Sequence, residues 1–254
     1  MKRHTLLIII LFATVSIKAQ AQQLNEQLFE QANASYNAGN YDSAIRLYEQ
    51  ILDTDVESVP IYYNMGNVYY KMREYALAIY CYEKALKLDP SNDDVRTNLE
   101  IANLAIVDKI EPVPQPFFVR GWLGMKHWLS GDEWAYLSLA AFALLLLAAG
   151  LFLRARRTGL RKLGFFSGLF MVVVFALSVL FAAQLKKASM TQDQAIVMAP
   201  TVTVKSSPNS ASVDLFVLHE GTKVSLLDET DEWSKIKIAN GSMGWMQTEF
   251  IRPF

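Results

Sequence analysis

The sequence predicts a multidomain membrane protein: an α-helical repeat solenoid, a two-helix transmembrane hairpin and a C-terminal all-β barrel. Three observations carry that prediction. Of 254 residues 52% are hydrophobic, and mean hydropathy is positive, which is uncommon for a soluble chain of this length. Two runs without a charged residue, 134–153 and 163–185, stand in tandem. The chain before them repeats at an interval of 34 residues, and the chain after them alternates with a period of two.

Composition excludes several function classes. Lys plus Arg total 24 against 25 Asp plus Glu, so there is no basic excess to neutralise a nucleic-acid backbone. A single cysteine, Cys81, rules out a disulfide framework and any CxxC site. His4, His127 and His219 lie too far apart for metal-ligand spacing. No catalytic constellation emerges, and neither a cofactor nor a metal is expected. His219 has Glu220 beside it but no nucleophile placed by a motif, and the acids at 228–232 and 93–94 read as a hairpin turn and a helix start.

Charge is segregated along the chain. Residues 22–111 hold 7 basic and 15 acidic side chains, residues 154–162 hold five basic and none acidic, and residues 186–254 hold 7 and 8. Blocks of this kind mark separate modules.

The first element is an export signal over residues 1–21. Lys2 and Arg3 precede the apolar run 6–15, and Ala19-Gln20-Ala21 supplies small residues for cleavage before Gln22. A helical domain is expected over 25–109, followed by a proline-rich linker and an aromatic segment over 110–133. In that segment Phe118, Trp122, Met125 and Leu129 recur at helical spacing. It reads either as an interfacial helix, since aromatics favour the headgroup region, or as a loop packed on the helical domain.

The run 134–153 spans about 30 Å as a helix, the thickness of a hydrocarbon core. Ser130 and Glu133 stand at capping-box spacing and Leu129 and Trp134 at staple spacing, which starts the first span near Gly131. The second span is 163–185. The loop 154–162 between them carries Arg154, Arg156, Arg157, Arg161 and Lys162, against Lys186 and Lys187 beyond the second span. The positive-inside rule therefore places that loop in the cytoplasm. With the export signal, this predicts a two-span protein of the cytoplasmic (inner) membrane with both large modules in the periplasm.

At an offset of 34, Ala32 pairs with Gly66, Tyr41 with Tyr75, Ala44 with Ala78, Ile45 with Ile79 and Tyr48 with Tyr82. The pattern closely resembles the tetratricopeptide repeat, whose small residues let two helices cross closely. The first repeat departs from it at Ser35, Ile51 and Val56. A third first-helix over 94–109, with Val95, Leu99, Ala102 and Ile106 on one face, is expected to cap the stack. The resemblance implies a concave groove lined by Phe29, Asn33, Tyr36, Tyr63, Asn67 and Tyr70, with the two asparagines gripping a partner's backbone or standing solvated. Phe29 occupies a position where the carboxylate-clamp subclass has lysine, so a chaperone C-terminal tail is not the implied ligand. Cys81 is expected as a buried apolar filler.

Residues 194–254 read as five or so short strands, with Asn240-Gly241 a two-residue hairpin signal. The alternating pairs are Val202 and Val204, Leu215 and Val217, Val224 and Leu226, Ile236 and Ile238. Glu220-Gly221-Thr222-Lys223-Val224, Trp233-Ser234-Lys235-Ile236 and Gly241–Met246 resemble bacterial SH3-like domains. Strand parity puts Trp233 opposite Ile236 and Ile238, as an exposed recognition platform, unless a bulge turns it inward. Trp245 is expected in the core.

The order of modules, with Asn98–Asn103 and Asp108-Lys109-Ile110-Glu111-Pro112, resembles the BatE-type proteins of the Bacteroides aerotolerance (Bat) operon. That resemblance implies a non-enzymatic membrane-anchored periplasmic scaffold linked to oxidative stress. Implied partners are the other Bat-type membrane proteins with von Willebrand A domains and a MoxR-type ATPase. The alternative is a cell-wall sensor or anchor that binds peptidoglycan through the SH3-like module.

Overall fold

The computed structural model describes residues 20–230 and 232–254 in full, and residues 2–19 by the bounds of their helix alone. The signal expected at 1–21 falls almost wholly outside the fully described residues.

Five helices form the N-terminal layer: α1 (Lys2–Asn37), α2 (Tyr41–Leu52), α3 (Val59–Met72), α4 (Tyr75–Leu88) and α5 (Asp93–Asn103). The 34-residue interval is visible in the backbone as well as the sequence. Gly39 and Arg73, one interval apart, both adopt a left-handed conformation that reverses the chain between paired helices. Close crossing depends on small residues. A Cβ on Gly66 would stand 2.5 Å from the Tyr82 ring, and Ala32 at the matching position is fully buried. Tyr48, Ile51, Val68, Ile79, Tyr82 and Ala85 complete a continuous core.

The capping helix α5 is shorter than expected. Asn92 caps it, its Oδ1 accepting from the Val95 N–H at 3.1 Å, and Val95, Leu99 and Ala102 face the stack. It ends at Asn103, because Ile106 and Asp108 are spent on contacts with the β domain described below.

Helices α6 (Phe117–Lys126), α7 (Gly131–Arg154) and α8 (Thr158–Met190) form the central region. The Ser130–Glu133 capping box is present, with bonds of 3.3 and 2.9 Å. Leu129 packs against Trp134, Phe181 and Leu185, and Trp134 donates to the Lys126 carbonyl at 3.0 Å. Helices α7 and α8 are long and apolar enough to cross a membrane by length and composition. Small residues (Ala141, Ala148, Gly164, Gly168 and Ser178) are buried between them. Leu139, Leu147, Phe166 and Phe170 point outward, each more than half exposed.

The connection is tighter than the loop expected at 154–162. Only residues 155–157 join the helices; Arg154 ends α7, and Arg161 and Lys162 stand in the first turns of α8. Contact between small residues brings the helices close enough for so short a turn, and Arg161 stacks its guanidinium 5.3 Å from the Phe152 ring centroid.

Seven strands follow: β1 (Gln194–Val197), β2 (Thr201–Lys205), β3 (Asp214–His219), β4 (Lys223–Glu229), β5 (Trp233–Lys237), β6 (Met243–Gln247) and β7 (Ile251–Pro253). They lie antiparallel in the order β3-β2-β6-β5-β4-β1-β7 around Val202, Val204, Leu218, Val224, Ile236, Ile238 and Met246. Register fixes one face and corrects one expectation. Register pairs Val204 with Phe216 and Val202 with Leu218, so Phe216 and Leu218 turn inward while Leu215 and Val217 face out. In β6, Gly244 and Met246 take the inward positions. Trp245 therefore lies on the outer face, its ring centroid 6.0 Å from the Lys235 ammonium.

The β domain is packed directly on the repeats. Ile196 and Phe254 belong to the helical core, with Phe254 only 2% exposed and edge-on to Tyr80 at 6.2 Å. Arg252 lies 4.3 Å from the centroid of the same Tyr80 ring, and Lys223 pairs with Glu83 at 2.7 Å. The segment after α5 continues the contact. Ile106 sits over Gly221, whose φ of +85° and whose missing side chain (a Cβ would meet Ile106 at 2.5 Å) both require glycine. Ile110 packs on the β core, and the Val113 N–H donates to the Ala239 carbonyl at 3.2 Å. The expected proline-rich linker is thus partly a docking segment.

Candidate functional site

Helices α1 and α3 carry the groove residues, and each is held from behind by the helix that follows it. Phe29 packs on Tyr48 at 5.9 Å and Tyr63 on Tyr82 at 6.3 Å; Tyr36 packs on Tyr41 at 5.9 Å and Tyr70 on Tyr75 at 5.6 Å. All four candidate aromatics are half-buried.

The asparagines form a repeating network that sequence reasoning missed. Asn33 Oδ1 accepts from the Tyr48 hydroxyl at 2.5 Å and from the Asn64 amide at 2.9 Å. One repeat later, Asn67 Oδ1 accepts from the Tyr82 hydroxyl at 2.8 Å and from the Asn98 amide at 2.9 Å. Asn98 also reaches the Tyr63 hydroxyl at 3.1 Å. Burial pushes the Tyr48 and Tyr82 hydroxyls above the ordinary phenol pKa, which keeps them protonated as donors. The spacing Asn33, Asn64, Asn67, Asn98 was the available signal; only Asn33 and Asn67 were read from it.

The chemical consequence is directional. With both carbonyl oxygens taken internally, the amide N–H groups of Asn33 and Asn67 are the part left to address a ligand.

Trp233 lies elsewhere, on β5 of the barrel. It is half-buried on the strand face opposite Ile236, and the irregularity in pairing falls across β4, between Leu226 and Asp228. It borders a cavity of about 300 Å³ with Thr201, Thr203, Lys205, Gln247 and Phe250. The candidate residues on α1 and α3 and the Trp233 cavity are therefore separate.

Asp108 is the second feature that sequence reasoning missed. Its carboxylate accepts from the Thr222 hydroxyl at 2.6 Å and the His219 backbone N–H at 2.7 Å, and its Oδ1 lies 2.8 Å from His219 Nδ1. This explains His219 as a docking residue. Cys81 is 2% exposed, and burial pushes its thiol up to about 12, so it is an inert filler. Among the described residues no group of three His, Cys, Asp or Glu is placed to hold a metal ion.

Comparison with known proteins identifies the helical repeats and the β domain. Residues 27–59 and 59–92 each match a tetratricopeptide-repeat family, and residues 200–252 match the bacterial SH3 domain. Two curated plant proteins, each described as a probable UDP-N-acetylglucosamine--peptide N-acetylglucosaminyltransferase SPINDLY, are similar over the repeats. The Oryza sativa subsp. japonica protein is 39% identical over 70 residues, and the Hordeum vulgare protein is 37% identical over 73. Those matches cover 28% and 29% of this chain but only 8% of each relative. The likeness is one of repeats and extends to no catalytic segment. The chain carries tetratricopeptide repeats and a bacterial SH3 domain, both of them modules for interaction with other molecules.

Proposed function

We propose that this protein is a non-enzymatic, membrane-anchored scaffold that holds protein partners outside the cytoplasmic membrane. The observation that carries the reading is the fusion of two interaction modules into one docked body at the same end of an apolar helical pair. A rigid pair of binding surfaces close to the membrane suits assembly of other membrane proteins. The charge of residues 154–162 and the leader pattern at 1–21 support the orientation, with both modules in the periplasm. The resemblance to BatE-type proteins supplies the candidate partners: Bat-type membrane proteins with von Willebrand A domains, and a MoxR-type ATPase system linked to aerotolerance.

The groove is the surface assigned to protein partners. Changing Asn33 and Asn67 to Asp keeps a carboxylate acceptor for Tyr48, Tyr82 and the flanking asparagines but removes both outward amide donors. Crosslinking in membranes, followed by mass spectrometry, should show the double variant losing its partners. Intact capture by that variant, with loss in Trp233→Ala, would move recognition to the barrel. Protease added to spheroplasts should digest both modules; protection of either would overturn the orientation.

A second reading is favoured by the Trp233 cavity, whose polar lining and aromatic wall suit a peptidoglycan fragment. Retention of the protein on purified sacculi, lost in Trp233→Ala, would establish it.

A further inference from the structure

Where the repeats meet the outer end of the helical pair, two cavities adjoin and share Lys87, Pro90 and Leu185. The larger, about 590 Å³, opens between α7 and α8; Ala135, Val179, Ala182 and Ala183 give it an apolar wall, and Asp132 and Lys186, of opposite charge, also line it. The smaller, about 350 Å³, is ringed by Lys87, Arg96, Lys126, His127 and Lys223. Its acids are Glu83 and Asp193. Glu83 is already paired with Lys223, which leaves Asp193 facing the remaining cations. Lys126 makes no ion pair among the described residues, and Arg96 reaches the Pro90 carbonyl at 2.6 Å beside its contact with Asp93.

The walls are fixed. Lys87 donates to the Thr191 carbonyl just past the end of α8, tying the repeats to that helix. Trp122 and Trp134 meet Phe181 edge to face at 4.9 and 5.0 Å, which pins α6 and the start of α7 beside the cavities. The local field is positive: His127 is held below the ordinary imidazole pKa by burial and then by Lys126 and Arg96. A mainly apolar chamber beside a cationic one has the polarity of a phospholipid molecule.

We propose that the two cavities form a binding site for an anionic phospholipid. Its phosphate would lie among Lys87, Arg96 and Lys126, and an acyl chain would lie along Val179 and Ala183. Charge complementarity selects a lipid with net negative charge over a zwitterionic one. The site rests on the reading of α7 and α8 as membrane spans.

Full-length protein purified in mild detergent and then reconstituted in vesicles provides the test. Native mass spectrometry should find phosphatidylglycerol retained from mixed vesicles of phosphatidylglycerol and phosphatidylcholine. Arg96→Gln with Lys126→Gln should lower that retention about tenfold or more, as expected for the loss of charge-assisted hydrogen bonds. Ala183→Trp, which fills the apolar chamber at an exposed position, should lower it without changing any charge. Equal retention by wild type and both variants, with all three still in the vesicle fraction, overturns the site and leaves the membrane reading intact. Failure of the wild type to stay with vesicles after carbonate extraction overturns both. Displacement of the lipid by inorganic phosphate, equally effective in wild type and Ala183→Trp, would make the ligand a free phosphate and overturn the lipid.

Discussion

Asp108 and His219 are 111 positions apart in the chain, and their side chains meet at 2.8 Å. The contact joins the segment after the last repeat helix to the β3–β4 turn of the barrel. Asp108 is only 14% exposed, and its two oxygens satisfy a backbone N–H, a hydroxyl and an imidazole. Asp108→Ala would leave the buried Thr222 hydroxyl and the His219 N–H without acceptors, at a cost of about 1–3 kcal/mol. The expected outcome is a lower melting temperature for the full chain in detergent, with faster proteolysis between residues 104 and 116.

The same carboxylate sets a pH dependence. Burial alone would raise its pKa, but the hydrogen bonds from Thr222 and from His219 outweigh burial and hold it below the ordinary carboxylate value. A group depressed on folding contributes stability that is complete above its unfolded pKa of about 3.9 and is lost as pH falls through the lower folded value. Docking should therefore be unaffected by acidification down to about pH 5 and weaken below about pH 4. Asp108→Asn should abolish that acid-dependent step in a melting series, and an unchanged step would assign it to another carboxylate.

How much of this arrangement was legible depended on whether the signal was local. The repeats were legible because Gly66, Tyr82 and their partners at the 34-residue interval answer to helix packing within one unit. The Ser130–Glu133 cap was legible because it spans one turn. Docking was not: Ile106 read as part of the capping helix, Asp108 only as part of a family-like stretch and Phe254 as nothing, and their contacts exist only once strand and helix are adjacent. Parity succeeded or failed with register: Phe216 and Leu218 face inward because β3 pairs with β2 at those positions, a choice the alternation of Leu215 and Val217 disguised. The hydrogen bonds that hold Asn33 and Asn67 to Tyr48, Asn64, Tyr82 and Asn98 were not legible. They cross between helices.

Phe254 should act as an anchor for the barrel. It fills a space between Tyr80, Lys87 and Lys223, whose ammonium groups lie 5.9 and 5.4 Å from its ring centroid. Replacing a buried phenylalanine by alanine typically costs about 3–5 kcal/mol. Phe254→Ala should increase hydrogen exchange in α4 and β1 together, because both walls of the contact are exposed at once. Faster exchange in β1 alone would mean that the ring stabilises the barrel and not its docking.

Cys81 offers a probe of repeat unfolding. It is the chain's one cysteine, is buried against the helical core, and has a thiol pKa pushed up to about 12 by desolvation. At neutral pH the folded protein should resist maleimide, whereas urea-unfolded protein should label fully. The labelling rate should rise in Asp108→Ala if docking of the barrel supports the repeats. An unchanged rate would show that the helical stack stands without it.

The asparagine network separates a structural role from a binding role within one residue. Asn67→Ala removes the acceptor for the Tyr82 hydroxyl and one of two acceptors for the Asn98 amide, which keeps only its bond to Tyr63, at the junction of α3, α4 and α5. The cost should be about 1–3 kcal/mol, read as a lower urea midpoint. Asn67→Asp keeps both bonds, since an ionised carboxylate is a better acceptor than an amide, and it adds one charge on the solvent side. Its midpoint should remain near that of the wild type. If Asn67→Asp destabilised as much as Asn67→Ala, the outward N–H would itself be structural, and the groove could not be tested through this residue. If Asn67→Asp is stable but fails to capture partners, the amide donor is the element of Asn67 that recognises them.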